Sequence, residues 1–209
     1  MIYLWILLGI IAAFVAISLG WRWASRVWSL PCPTLFAGGL ESSFAERING
    51  KKVTLERLGL RPGQKILEIG PGPGRLLVPA AQSVLPGGEA VGVELQQGMI
   101  DRLKARAEKA GVTNLSVIHG DATQAHVSEG SFDLVFLATV LGEIPDRAAA
   151  LAQCYRALKP GGVLSVTEMF GDPHYQSRSR VRQLAEAAGF RARNVHGNWL
   201  RFTADFVKP

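Results

Sequence analysis

The chain has 209 residues, 48% hydrophobic and 19% charged, which is enough for one ordinary domain around a buried core and excludes a disordered polar chain. Its formal charge of +6, mostly from arginine, suits nucleic acid or an anionic membrane face and by itself chooses neither. Two cysteines, Cys32 and Cys154, make no disulfide framework, and four scattered histidines contain no H-x-x-x-H pair, so a reducing compartment and no structural metal are expected.

Residues 2–20 are an unbroken apolar run without a charge. As a helix the run crosses roughly 30 Å of hydrocarbon. Trp21, Arg22, Trp23, Arg26 and Trp28 follow it; indoles favour the headgroup level and arginines the cytoplasmic side. The expectation is a single-pass membrane anchor, N-terminus out, with the rest of the chain cytoplasmic. A secretory signal peptide fits less well, because no basic residue precedes the run and the run is long for such a segment. Pro31, Pro33, Gly38 and Gly39 then mark a linker. Phe44, Ile48, Val53, Leu55 and Leu58 fall at helical spacings interrupted near Asn49-Gly50. They predict two short helices that either cap a ligand crevice or simply cover a sheet. The organisation is an anchor with its juxtamembrane segment (1–29), a linker with cap helices (30–60) and a main domain (61–209).

From residue 65 strands and helices alternate. Strands are predicted at 65–68, 90–94, 115–119, 132–138, 163–168, 191–195 and 199–207. Helices are predicted at 75–84, 97–110, 147–158 and 176–188, with a stop at Lys159-Pro160-Gly161-Gly162. This alternation predicts a parallel sheet whose right-handed crossovers put helices on both faces.

The most informative stretch is KILEIGPGPG, residues 65–74. A strand ending near Glu68 opens into Gly70, Gly72 and Gly74, where the lack of a Cβ lets backbone approach a ligand. The helix behind it is expected to aim free N–H groups at the same crevice. The spacing is E-x-G-x-G-x-G. A dinucleotide loop wants G-x-G-x-x-G, and Arg75 stands where its third glycine belongs. Glu94 ends the next strand, where an acid can accept both hydroxyls of a ribose. Asp121, at the end of the third strand, is placed to accept from an adenine amino group, with Ala122 leaving room for the ring.

In order, EIGPGPG, VGVEL, GDAT, FDLVFLATVLGEIP, LKPGG and VLSVTE resemble the class I S-adenosylmethionine (SAM) dependent methyltransferases, most nearly the small branch similar to the ubiquinone and menaquinone C-methyltransferases. The resemblance runs from about residue 55 to the end. It implies a Rossmann-like α/β fold: a seven-stranded, mostly parallel sheet with helices on both faces and the last strand antiparallel, here preceded by the transmembrane helix. It also implies that Glu68, Gly70, Gly72 and Gly74 hold the methionine part of SAM and Glu94 the ribose, with Pro71 and Leu95 also among the cofactor-binding residues. Asp121 and Ala122 would then take the adenine, and Ala138 would lie near the sulfonium.

Two other readings compete. Tyr155 and Lys159 form the Y-x-x-x-K of a short-chain dehydrogenase, although Gly142 occupies the position of its serine; a helix face and its end explain the pair better. A SAM-binding membrane module without catalysis is the other.

Methyl transfer is a displacement at carbon, so the protein chiefly aligns donor and acceptor. A base helps where the acceptor must lose a proton. The candidates are Glu143, Glu168, His174 and Tyr175, with Asp172 beside them and Asn198 and Trp199 near the mouth. The anchor argues for a lipophilic acceptor: a quinone precursor, an aminophospholipid or a small hydrophobic molecule. Arg178, Arg180, Arg182, Arg191, Arg193 and Arg201 suit an anionic leaflet. Nucleic acid is not expected, since basic and aromatic residues do not interleave into a stacking platform.

Overall fold

A computed structural model describes residues 50–209 and scattered positions between 3 and 24. The strands are β1 (Lys65–Ile69), β2 (Glu89–Glu94), β3 (Leu115–His119), β4 (Phe132–Ala138), β5 (Leu158–Met169), β6 (Arg191–Gly197) and β7 (Arg201–Val207). They form one sheet in the order β3-β2-β1-β4-β5-β7-β6. All pairings are parallel except those of β7, which runs antiparallel to both β5 and β6. This is the expected Rossmann-like sheet with an antiparallel last strand. Strand order reverses between β1 and β4, so their carboxyl ends flank a crevice.

The helices are α1 (Lys51–Leu58), α2 (Leu77–Ser83), α3 (Gln97–Lys109), α4 (Arg147–Ala157) and α5 (Arg178–Ala187). Side chains alternate along each strand, so the sheet feeds two cores. Leu67, Val135, Leu164 and Val166 pack with Leu151 of α4 and Val181 of α5. Ile66, Leu134 and Phe136 pack on the other face with Leu77 of α2, Leu103 of α3 and Leu58 of α1.

Helix starts follow their caps. The Asp146 carboxylate accepts from the Ala149 amide at 2.9 Å, and Ser177 Oγ accepts from the Arg180 amide at 3.3 Å. The second cap moves the start of α5 from the predicted 176 to Arg178. Two further differences have identifiable causes. First, Lys159-Pro160-Gly161-Gly162 is not a turn between elements but lies within β5. Leu158 pairs with Phe132 and Val163 with Leu134, so the intervening residues bulge against Asp133 alone. The bulge is held by the Gly161 amide on the Lys208 carbonyl and the Lys208 amide on the Gly162 carbonyl. Second, α2 begins at Leu77, two residues later than predicted, because residues 72–76 form turns around the glycine loop.

The predicted membrane span, its tryptophan–arginine flank, the linker and the first cap helix fall mostly or wholly outside the described residues. The described positions there that carry large side chains include Tyr3, Trp5, Ile6, Ile10 and Ile17, helical and exposed. Among the described residues no helix is long and apolar enough to cross a membrane.

Candidate active site

The crevice at the carboxyl ends of β1, β2, β4 and β5 has a volume of about 340 Å³, within the range of small-ligand sites. Its floor is the glycine loop. Gly70 has φ +67°, and a Cβ there would stand 2.8 Å from both Val140 methyls. Gly74 has φ +75°, and a Cβ there would stand 2.9 Å from Leu103 Cγ. The first glycine therefore lets the β1 and β4 loops touch, and the last lets the loop settle on α3. The Gly70 amide donates to the Val93 carbonyl at 2.9 Å, tying the loop to β2.

Glu94 is nearly buried, at 6% exposure. Its Oε2 accepts from the Gly72 amide and its Oε1 from the Gln96 amide, each at 2.9 Å. It clamps the two loops that flank the crevice and lines the crevice with its carboxylate. Glu68 lies deeper, at 3% exposure. Burial raises its pKa well above the ordinary range, opposed by Arg75 and reinforced by Glu94, while the Leu77 amide donates to it. That amide was expected to face ligand; the carboxyl uses it instead. Glu68 Oε2 is buried without a hydrogen-bond partner.

Leu95, Asp121 and Ala122 line the same crevice beyond Glu94. Asp121 Oδ1 accepts from the Thr123 amide and hydroxyl, both at 2.7 Å, and these bonds lower its pKa. Pro71, Gly72 and Ala138 line the crevice as well. The structure thus brings the predicted cofactor residues together, save that Gly74 acts by packing beneath the loop.

The predicted acceptor-side residues divide. Glu143 lines the crevice, as does Asp172. Glu168, His174 and Tyr175 do not. On β5 the alternation turns Thr167 and Met169 to the crevice and Glu168 to the opposite face, where Phe202 is its β7 neighbour. There Glu168 is 1% exposed; its Oε2 accepts from the Gln176 amide at 3.1 Å and its Oε1 has no partner. Burial pushes its pKa up to about 8. His174 is buried, its amide donating to Asp172 Oδ1 at 2.7 Å. Its carbonyl lies so close to Gly142 that a Cβ there would collide with it. Arg147 donates to the carbonyls of Leu141 at 3.1 Å and Gly142 at 2.6 Å. The Arg147 bonds brace the β4–α4 loop and the Glu168 and Asp172 bonds brace the β5–α5 loop, and the two loops meet where the His174 carbonyl packs against Gly142. Tyr175 donates its hydroxyl to the Trp199 carbonyl at 2.9 Å.

Other crevice residues are not among the expected site residues, Arg201 being expected at an anionic leaflet instead. Lys51 and Thr54 of α1 line it, so this helix does cap the crevice. Arg201 reaches it because β7 pairs Arg201 with Met169. Thr139 also lines it, with φ +57°, a conformation that a β-branched residue rarely takes. Its amide donates to the Thr167 carbonyl at 2.8 Å and helps hold that geometry. No sequence pattern marks a strained threonine.

Tyr155 and Lys159 lie at the opposite end of the sheet. Lys159 Nζ binds Asp133 Oδ1 at 2.6 Å, and the Lys65 amide binds Asp133 Oδ2 at 2.8 Å, at the starts of β4 and β1. Lys208 Nζ sits 4.7 Å from the Tyr155 ring centre. Tyr155→Phe is expected to leave SAM affinity and methyl transfer at wild-type levels in a labelled-methyl assay. Loss of activity from that single oxygen would revive the dehydrogenase reading.

Among the described residues no group of His, Cys, Asp and Glu is arranged to hold a metal. The residues present do fit SAM: an unpaired buried carboxyl oxygen on Glu68 for an ammonium, a carboxylate on Glu94 for ribose hydroxyls, and an open, partly apolar end at Leu95 and Ala122 for adenine.

Residues 66–162 match the family model described as a methyltransferase domain. Demethylmenaquinone methyltransferase from Staphylococcus aureus is 31% identical over 126 residues, covering 60% of this chain and 52% of that protein. The chain spans about half the length of this relative, or less in the case of a transposon protein from Streptomyces fradiae, where it covers 35%. Among solved structures, a SAM dependent methyltransferase from Aquifex aeolicus superposes with a TM-score of 0.77 at 19% identity, over 86% of this chain and all of that one, at 100%. Phosphoethanolamine N-methyltransferase 2 of Haemonchus contortus, solved with S-adenosyl-L-methionine, gives 0.65 at 20% identity over 77% of this chain and 52% of that chain. At these identities the structures show a shared fold.

Proposed function

We propose that this chain is a class I SAM-dependent methyltransferase that moves a methyl group from SAM to a lipophilic or other small-molecule acceptor at a membrane, a reading supported by the methyltransferase-domain match over residues 66–162 and by the shared fold. SAM is the methyl donor, supplying an electrophilic methyl on a sulfonium. The observation that carries the reading is the pair of buried acids in one crevice, Glu94 clamping both loops and Glu68 with an unsatisfied oxygen. Glu68 holds the ammonium and Glu94 the ribose, while Asp121, Ala122 and Leu95 take the adenine. Ala138 and Thr139 border the methyl. Alignment supplies most of the rate. Where an acceptor must lose a proton, Glu143 and Asp172 are the acceptor-side acids that line the crevice.

The acceptor is a quinone precursor, an aminophospholipid or a comparable hydrophobic molecule, and the catalytic part faces the cytoplasm. The apolar run at 2–20, with its exposed side chains among the described positions, supports a membrane location. Incubating membrane extract with methyl-labelled SAM and identifying the labelled product tests the acceptor class; label appearing only in protein or nucleic acid contradicts it.

Removing residues 1–28 tests the anchor. The sheet and crevice are built downstream of it, so SAM affinity is expected to stay within error of the full chain. Turnover on an acceptor embedded in vesicles should fall more than turnover on a short-chain soluble analogue. Equal loss on both would mean that the N-terminal segment builds the site.

A further inference from the structure

Three exposed apolar side chains crowd one rim of the crevice. Phe170 is 45% exposed, Trp199 62% and Leu200 47%. Large apolar groups gathered at one spot on a surface mark an interaction site more often than scattered ones do. This group is also held in place. The Phe170 and Trp199 rings meet edge-on at 5.2 Å, and Phe170 meets Tyr175 at 5.6 Å. The Phe170 amide donates to the Leu200 carbonyl at 2.8 Å, and the Tyr175 hydroxyl to the Trp199 carbonyl. Asn198 Oδ1 accepts from the amides of Leu200 at 3.0 Å and Arg201 at 3.2 Å, fixing the β6–β7 turn. A turn built this firmly presents its tryptophan outward at little further entropic cost.

We propose that this knob of Phe170, Trp199 and Leu200 docks the domain on an anionic bilayer, with the crevice mouth turned to the leaflet. The proposal rests on the reading that the acceptor is lipophilic. Charge decides the occupant. Arg178 borders the knob, donating to the Gly197 carbonyl at 2.7 Å with its guanidinium 5.6 Å from the Phe202 ring centre. Exposed Arg180 follows on the same helix, in a chain of net charge +6. Indole and phenyl rings at headgroup depth, flanked by arginines, match the apolar and charged layers of an anionic interface. Position supports the same occupant. The residues adjoining the knob in sequence, Met169 and Arg201, line the crevice, so a knob seated in headgroups sets the crevice opening where a membrane-dissolved acceptor emerges.

The test uses the full chain with Cys32→Ser, leaving only buried Cys154, and one introduced cysteine carrying a fluorophore. Trp199→Cys and, separately, Leu200→Cys report on the knob; Lys104→Cys on exposed α3 is the control. Each is added to vesicles of phosphatidylcholine with phosphatidylglycerol, containing lipids that bear a doxyl quencher near the glycerol end of the chain. Labels at 199 and 200 are expected to be quenched several-fold more than the label at 104. Quenching should weaken in phosphatidylcholine alone and with Arg178→Glu and Arg180→Glu together. Labels at 199 and 200 no more quenched than the control would overturn the proposal. So would a spectral change that tracks protein concentration without lipid, since the occupant would then be a second copy. SAM calorimetry on the same proteins separates the two readings. Binding without quenching removes the docking surface and leaves the methyltransferase; quenching without SAM binding does the reverse.

Discussion

Glu94→Ala is expected to weaken SAM binding by about 1.5–3 kcal/mol, the value of hydrogen bonds made to a charged acceptor. The change removes the proposed ribose acceptor, and it also releases the Gly72 and Gln96 amides that Glu94 holds at 2.9 Å. Both crevice loops lose their shared clamp, so the loss should fall at the upper end of that range. Titration calorimetry of the variant with SAM checks it. Because Glu94 is nearly buried, thermal unfolding of the variant without ligand should be run beside it. An affinity equal to wild type in a protein of normal stability would remove Glu94 from the site.

The second large effect concerns pH. Glu168 has a folded pKa of about 8 against 4.5 for the ordinary carboxyl, because burial outweighs the Gln176 amide and Arg147. Between those values the folded chain keeps a proton that the unfolded chain has released. Stability therefore falls as pH rises through that window, by about 1.4 kcal/mol per unit for one such group, and levels off above it. Glu168→Gln has no proton to keep. Urea unfolding of both proteins at pH 5 and pH 7 should show the wild type losing about 3 kcal/mol more than the variant across that interval. Glu68, also raised by burial, contributes equally to both and cancels. Parallel losses would mean that Glu168 is hydrated or ionised in the fold.

The sheet was legible because its strands and helices announce themselves by period: β3 and β4 run from Leu115 to His119 and from Phe132 to Ala138, the bounds read from residue pattern. The glycine loop and the strand-end acids were legible because ligand chemistry in such a sheet gathers at the carboxyl ends of strands. The bulge at 159–162 was not. Proline and two glycines spell a turn locally, and only pairing with Asp133 and Lys208, distant in the chain, keeps them in β5. Glu168 was misplaced for a different reason. Leu164, Val166 and Glu168 share one parity, and the two apolar members pack into the core with α4 and α5. The side of Glu168 was therefore written in the strand, but a strand-end acid near a ligand site was read by position alone. Lys51, Thr54 and Arg201 enter the crevice through α1 packing and the β5–β7 register. Neither contact leaves a local sequence signature.

Titration of the full chain with SAM, with its demethylated product and with NAD(P) tests the central claim most directly. One site per chain for SAM and for the demethylated product, weakened by Glu94→Ala and untouched by Tyr155→Phe, is the predicted result. No heat with SAM at millimolar concentration, with saturable binding of NAD(P) instead, would contradict it.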